Sequence, residues 1–415
     1  MRSNRLYVWL ALLTVATVLL FLVGCGGTST SGSTSNPGTN NGGSTPGGSN
    51  PGSGGTSGGT GGGTSSSNEI LYTGSLYTTL NALKIDPASG KLSPLAGSPY
   101  TTGPEPNALA TDPNHRFLYV GIGQQQAYRG ANCFDFHSQL FSYAIANDGS
   151  LSPIEQLTLP TFCEAEVLVD PSGKHLYVMS QDQSASGAFI MAYSIGSDGH
   201  LTQLPGTPYH FADAIPGRAE FSADGRFIYA NDTGSDNGIV VLSRDPSTGV
   251  LTESQRLPLG GGRYISDIAL VANGSYLVAV QSRNSAGKSV LVYPVNNGTV
   301  GSPREINNAD VEQAASVVGD RTGQYVLMTT ADTMKVKSFA IDASGNLSLA
   351  STVSNSDAAY DITVDATNHF VYTQNAGNPT ISGFTFDPAT GTLGTMSGSP
   401  FTLSTGALRL LIVSK

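Results

Sequence analysis

The chain has 415 residues, 51 of them glycine, only 12% charged residues and a formal net charge of −10. Arg2 and Arg5 are its only basic residues before residue 69, and all 30 acidic side chains lie from residue 69 onward, so the body of the chain is more acidic than the whole. Such a balance argues against nucleic acid and an anionic membrane surface as partners. The only Trp, Trp9, sits in the N-terminal apolar run, which leaves ring stacking elsewhere to Tyr and Phe.

Arg2 and Arg5 precede an apolar run from Leu6 to Val23, followed by Gly24-Cys25. A basic start, an apolar segment and a small residue before the cut define an export signal over residues 1–25. Leu22-Val23-Gly24-Cys25 is similar to a bacterial lipobox, which makes Cys25 the acylated residue; a plain membrane anchor is the alternative reading of the same run. Residues 26–68 contain only Gly, Ser, Thr, Asn and Pro. With no apolar surface to bury, they are expected to form a disordered tether with a reach on the order of 35 Å. The Gly55-Thr-Ser57-Gly-Gly59 match to a nucleophile elbow lacks the flanking strand and helix that motif needs, and is an accident of composition. The expectation is an extracytoplasmic domain, lipid-anchored at the cell envelope, with Gly26 favouring the outer membrane by resemblance to other bacterial lipoproteins.

From residue 69 a hairpin signal of Asp or Asn with Gly, ending in Leu or Val, recurs seven times. It closes on Leu92, Leu151, Leu201, Leu251, Val300, Leu347 and Leu393, 46 to 59 residues apart. A second element precedes most of these, as in Asp112-Pro-Asn-His-Arg-Phe-Leu-Tyr-Val120 and Asp170-Pro-Ser-Gly-Lys-His-Leu-Tyr-Val178. Each delivers the chain through a tight turn into an apolar strand. This period and turn chemistry, with no helical segment between, predict an all-β, seven-bladed β-propeller over residues 69–415, with four antiparallel strands (a to d, inner to outer) per blade. The first blade lacks an inner strand, and Ala407 to Val413 reads as an isolated one, so the C-terminal strand is expected to pair with the N-terminal blade and close the ring. Strand direction places the a–b and c–d hairpins on one face and the b–c and d–a loops on the other.

Cys133 falls in the longest b–c loop and Cys163 in the next d–a loop, on the same face. In an exported protein that placement predicts a Cys133–Cys163 disulfide, with two free buried thiols as the alternative. His115, His175, His200 and His369 are spread over hairpins of separate blades, which argues against a histidine metal cluster.

Alignment of the inner strands on their turns puts Ala108, Glu166, Arg218, Asp267, Ser316 and Asp361 at one level, with Arg409 near the equivalent place in the last strand. Inner strands face the channel, so these residues predict a charged ring near its mouth. Buried like charges are costly unless paired, so the arginines read as partners of the carboxylates. Three readings stay open: a channel of satisfied polar groups, a binding or catalytic site, and a Ca²⁺ site without any other cofactor. Asp267, Glu166, Arg218 and Arg283 are the candidate catalytic residues. Glu164, Asp361, Arg409, His210, His137 and Arg263 are the candidate binding residues.

Phe221-Ser-Ala-Asp-Gly-Arg-Phe-Ile-Tyr229 and the Asp170 repeat are close to the S-P-D-G-R-F-L-Y-V repeat of the lactonase family of seven-bladed propellers, which includes propeller-type 6-phosphogluconolactonases, and the chain resembles that family over residues 69–415. The resemblance implies sugar-lactone hydrolysis, but the site departs from the family's pattern. Pro216-Gly217-Arg218 stands where the family has P-R-H, Ala108 where it has a second His, and Ala269 replaces the His of its E-I-H segment while Asp267 keeps the acid. Arg283 matches a family Arg. With the imidazoles replaced, the leading expectation is a monomeric module that binds a small molecule, glycan or protein on the b–c/d–a face. The alternative is a sugar-lactone hydrolase using the carboxylates and arginines of the ring.

Overall fold

The computed structural model describes residues 68–415 except 76, 104, 124–137, 161, 182–186, 213–215, 233–237, 261 and 282–288; in 162–165, 181, 187, 188, 212 and 216 it describes the backbone alone. The export signal, the Cys25 lipidation site and the low-complexity tract lie outside these residues, as do Cys133, His137 and Arg283.

Seven antiparallel sheets form the seven blades of a β-propeller. The inner strands a of blades 2 to 7 are Pro106–Thr111, Phe162–Val169, Pro216–Phe221, Ile265–Val271, Ala314–Gly319 and Ile362–Val364. Blade 1 is built from both ends of the domain. Its strands b, c and d are Glu69–Thr73, Thr79–Ile85 and Leu92–Pro94, and its strand a is Leu410–Ser414. Leu410–Ser414 runs antiparallel to Glu69–Thr73 from Thr73↔Leu410 to Glu69↔Ser414. Asn68 and Lys415 extend the ladder with two mutual backbone bonds of 2.8 Å. The expected closure is therefore present, with the strand beginning three residues later than the apolar pattern suggested.

The repeated Asp owes its place to the a–b turn. Asp112 Oδ1 accepts the backbone N–H groups of Arg116 and Phe117, and Asp320 and Asp365 each accept the equivalent pair. One carboxylate thus satisfies two donors where strand b begins, as buried backbone groups require.

Apolar side chains gather in seven clusters, each wedged between two neighbouring blades. The core is a circle of seams rather than one mass. At each seam the c–d hairpin glycine of one blade packs against the residue that starts strand b of the blade before, or, for Gly149, against Ile70 within it. Gly298 meets Phe227, Gly345 meets Tyr276 and Gly90 meets Phe370. Three buried tyrosines staple the seams by donating to these glycine carbonyls: Tyr72 to Gly149 at 2.5 Å, Tyr177 to Gly249 at 2.8 Å and Tyr372 to Gly90 at 2.6 Å. The last of these joins blade 7 to blade 1.

Blade 3 departs from the apolar rule, because His175 occupies the strand-start position. Arg244 of blade 4 answers it from within the seam. Its guanidinium lies 2.8 Å from His175 Nδ1 and 3.2 Å from Asp170, and donates to Tyr177 Oη at 2.9 Å. Burial and the Arg244 charge hold the His175 pKa below its ordinary value, so the ring stays neutral and accepts from the guanidinium.

Two outcomes test this account by thermal unfolding. Truncation before Leu410 is expected to abolish the cooperative transition, since it strips one strand from the closing sheet; an unchanged melting temperature would remove closure from the account. Gly298→Ala combines a φ of +83° with a collision on the Phe227 ring, and is expected to destabilise by about 1–3 kcal/mol.

Candidate functional site at the channel mouth

The inner strands pair with strand b on one edge only, so their other edge faces the channel with backbone donors still to be satisfied. Carboxylates from neighbouring blades meet that need. Asp267 of blade 5 accepts from Val317 N of blade 6 at 3.0 Å, and Asp361, just before strand a of blade 7, accepts from Leu410 N of blade 1 at 2.7 Å. Glu166 of blade 3 accepts from Ala219 N of blade 4. Glu220 of blade 4 does the same for Leu270 N of blade 5 at 2.7 Å.

The two expected arginines bind these carboxylates together. Arg218 reaches across the channel to Asp361 at 3.2 Å, stands 3.6 Å from Asp267 and donates to the Tyr360 carbonyl at 3.3 Å. Arg409 pairs with Glu166 and lies 3.7 Å from Asp361. One connected lattice therefore links blades 1, 3, 4, 5 and 7. Ser316 of blade 6 joins it by donating to Asp267 at 2.5 Å. Glu166, Asp267 and Asp361 are buried, while both arginine side chains remain one-fifth exposed. Arg218 Nη1 is buried and has no hydrogen-bond partner among the described residues.

Electrostatics follows from this burial. Desolvation pushes the Glu166 carboxyl up to about 8, with Arg218 pulling down and Asp267 pushing up. Asp361 is raised to about 7 by burial, against the pull of Arg218. Glu220, also desolvated, is raised to about 7. Burial opposes the Arg218 charge, but Asp267, Asp361 and Glu166 more than offset it and hold the guanidinium charged. Asp267 has both oxygens engaged, Oδ1 by Ile268 N and Oδ2 by Ser316 and Val317 N, so its place is fixed.

The structure thus brings Glu166, Arg218, Asp267, Asp361 and Arg409 together, with Ser316, and separates other candidates from them. His210 lies in Tyr209–Ala212, an extra segment that pairs with strand c of blade 3 as an outer edge. It packs on Phe189 with ring centroids 5.1 Å apart, three strands from the inner edge, or about 14 Å at ordinary strand spacing. Arg263 is drawn to the side of blade 5, where it pairs with Glu305 at 2.9 Å and donates to Gln281 and Ser289. Cys163 lies within strand a of blade 3 rather than in the d–a loop, Glu164 follows it in the same strand, and only their backbone is described. With Cys133 outside the described residues, the disulfide lies outside them too. Among the described residues no group of three or more acidic, His or Cys side chains is arranged to hold a metal ion. Glu220 escaped the sequence reading although a signal was there: it lies two residues beyond Arg218, and alternation along a strand turns both toward the same side.

The profile of the family described as "Lactonase, 7-bladed beta-propeller" matches residues 143–262. A 6-phosphogluconolactonase of Yersinia pestis is 28% identical over 184 residues, covering 42% of this chain and 49% of that protein. The chain thus matches about half the length of such curated relatives. Among solved structures, a putative 6-phosphogluconolactonase from Bacteroides uniformis superposes with a TM-score of 0.70 at 14% identity, over 84% of this chain and all of that one. A periplasmic gluconolactonase from Pseudomonas aeruginosa does so with a TM-score of 0.63 at 19% identity, over 82% and 99%.

The raised carboxyls predict how stability varies with pH. From about pH 5 to pH 8 the folded chain keeps protons on Glu166, Asp361 and Glu220 that the unfolded chain has released. The folded state then binds more protons, and stability falls as pH rises through this window. The melting temperature should be lower at pH 8.5 than at pH 5.5, and the double variant Glu166→Gln, Glu220→Gln, which keeps the acceptor oxygens, should flatten that slope. A melting temperature that rises across the window would contradict the burial of these groups as acids. Repeat and blade architecture make the chain a seven-bladed β-propeller, similar to the lactonase family over residues 143–262.

Proposed function

We propose that the chain hydrolyses lactones of sugar acids at the channel-mouth lattice. The observation that carries this reading is Arg218 Nη1, a buried guanidinium nitrogen without a partner among the described residues, held among carboxyls whose pKa values are raised to about 7 and 8. A buried donor left unmade costs about 1–3 kcal/mol, a cost that an incoming ligand oxygen relieves. The 6-phosphogluconolactonases and the gluconolactonase among the similar proteins support the hydrolase over a binding module alone.

Lactone opening needs a base for water, a donor for the developing oxyanion and an acid for the departing ring oxygen. Glu166 and Asp361, both beside Arg409, titrate near neutrality, so one carboxyl is ionised while the other still holds its proton. The ionised one takes a proton as the water oxygen bonds to the carbonyl carbon. Arg218 stabilises the oxyanion. When the bond from the carbonyl carbon to the ring oxygen breaks, the protonated carboxyl supplies the proton for the new hydroxyl, and a hydroxy acid leaves. In this arrangement Asp267 positions Arg218, and no imidazole is needed. Arg283, which matches a family Arg by resemblance, lies outside the described residues. The export expected from residues 1–25 would put this chemistry outside the cytoplasm.

The test is hydrolysis of sugar lactones by the purified full chain, with spontaneous hydrolysis subtracted. Arg218→Ala or Glu166→Gln is expected to lower kcat/KM by about 10²-fold, as for loss of an oxyanion donor or an acid–base group. A wild-type rate equal to the buffer blank would overturn the hydrolase and return the lattice to a binding or structural role.

A further inference from the structure

The charge of the lattice and the apolar groups around it carry an inference about substrate class, which rests on the hydrolase reading. Four carboxyls, Glu166, Asp267, Asp361 and Glu220, face only two guanidinium groups. Both are already engaged, Arg218 by Asp267 and Asp361, and Arg409 by Glu166 and Asp361. Arg263, the next described arginine on this face, is taken by Glu305. Among the described residues Arg218 Nη1 is the buried guanidinium nitrogen of the lattice that lacks a hydrogen-bond partner, and it suits one carbonyl oxygen. A phosphate asks for several charged donors in a fork.

Apolar groups point the same way. Among the described residues six large hydrophobic side chains are exposed, and four of them, Tyr77, Tyr264, Met334 and Tyr360, lie in b–c or d–a loops, on the face of the lattice. Tyr264 lies three residues before Asp267. Tyr360 immediately precedes Asp361, and its carbonyl accepts from Arg218. Aromatic faces at this rim match the apolar C–H face of a sugar ring, with polar hydroxyls left for the carboxylates.

We infer that the site takes an uncharged sugar lactone, without phosphate, packed against Tyr264 and Tyr360. A phosphate brought to this rim would find both guanidinium groups of the lattice already paired with carboxyls.

The experiment compares the purified full chain on D-glucono-1,5-lactone and on its 6-phosphate. The kcat/KM for the uncharged lactone is expected to exceed that for the phosphate by tenfold or more. Tyr264→Ala and Tyr360→Ala are each expected to raise KM several-fold with kcat retained. Equal use or preference of the phosphate overturns the inference while leaving the hydrolase standing. Unchanged KM in both alanine variants removes the aromatic rim from it. Turnover of neither lactone overturns the hydrolase, and this inference with it.

Discussion

Seven blades set in a circle leave two raw edges unless the last strand meets the first, and the pairing of Leu410–Ser414 with Glu69–Thr73 meets that need. An unpaired inner edge would expose backbone donors and acceptors to any other chain, the hazard that sheet proteins of this kind must manage. The closing pair also decides whether the seams beside it can form. Tyr372 reaches Gly90 only if blade 7 is pressed onto blade 1, and the cluster that joins Leu71 and Leu83 to Phe370 and Tyr372 lies in that seam. Because each blade touches mainly its neighbours, the core is distributed round the circle, and one missing strand loosens the whole of it.

The inner edge poses a second demand of the same kind. Strand a of each blade has one edge without a neighbouring strand, and four carboxylates, Glu166, Glu220, Asp267 and Asp361, cap backbone donors there. Burying Glu166, Asp267 and Asp361, with Glu220 partly buried beside them, would be prohibitive if all were ionised and alone. Arg218 and Arg409 offset part of the cost, and protonation near neutral pH offsets more. The groups that complete the backbone accounting of the propeller thereby acquire pKa values suited to proton transfer. Structural and chemical roles converge here because the same desolvation serves both.

The hairpins and the closing strand were legible because their signals are local. Asp at the head of a turn, Gly at a positive φ and an apolar run in between follow from the geometry of a few consecutive residues. The ring was legible too, since counting back from those turns aligned Glu166, Arg218, Asp267 and Asp361. Pairing within it was not. Nothing in the sequence says that Arg218 passes over to blade 7 or that Arg409 reaches blade 3, because long side chains choose partners by three-dimensional distance. His210 and Arg263 were placed near the ring by face alone. The extra edge segment Tyr209–Ala212 and the carboxylate of Glu305 draw them outward, and both depend on contacts between strands distant in sequence. His175 was read only as a scattered hairpin histidine, because its partner Arg244 lies a blade away.

The central claim, that the lattice is a site and not only a brace, is tested most directly by a crystal structure of the chain grown with an aldonate, the hydrolysis product of an aldonolactone. The account predicts the product carboxylate at the channel mouth, with an oxygen within about 3.2 Å of Arg218 Nη1 and its sugar chain toward Tyr360. An aldonate bound elsewhere while Arg218, Glu166 and Asp361 keep only each other as partners would contradict it.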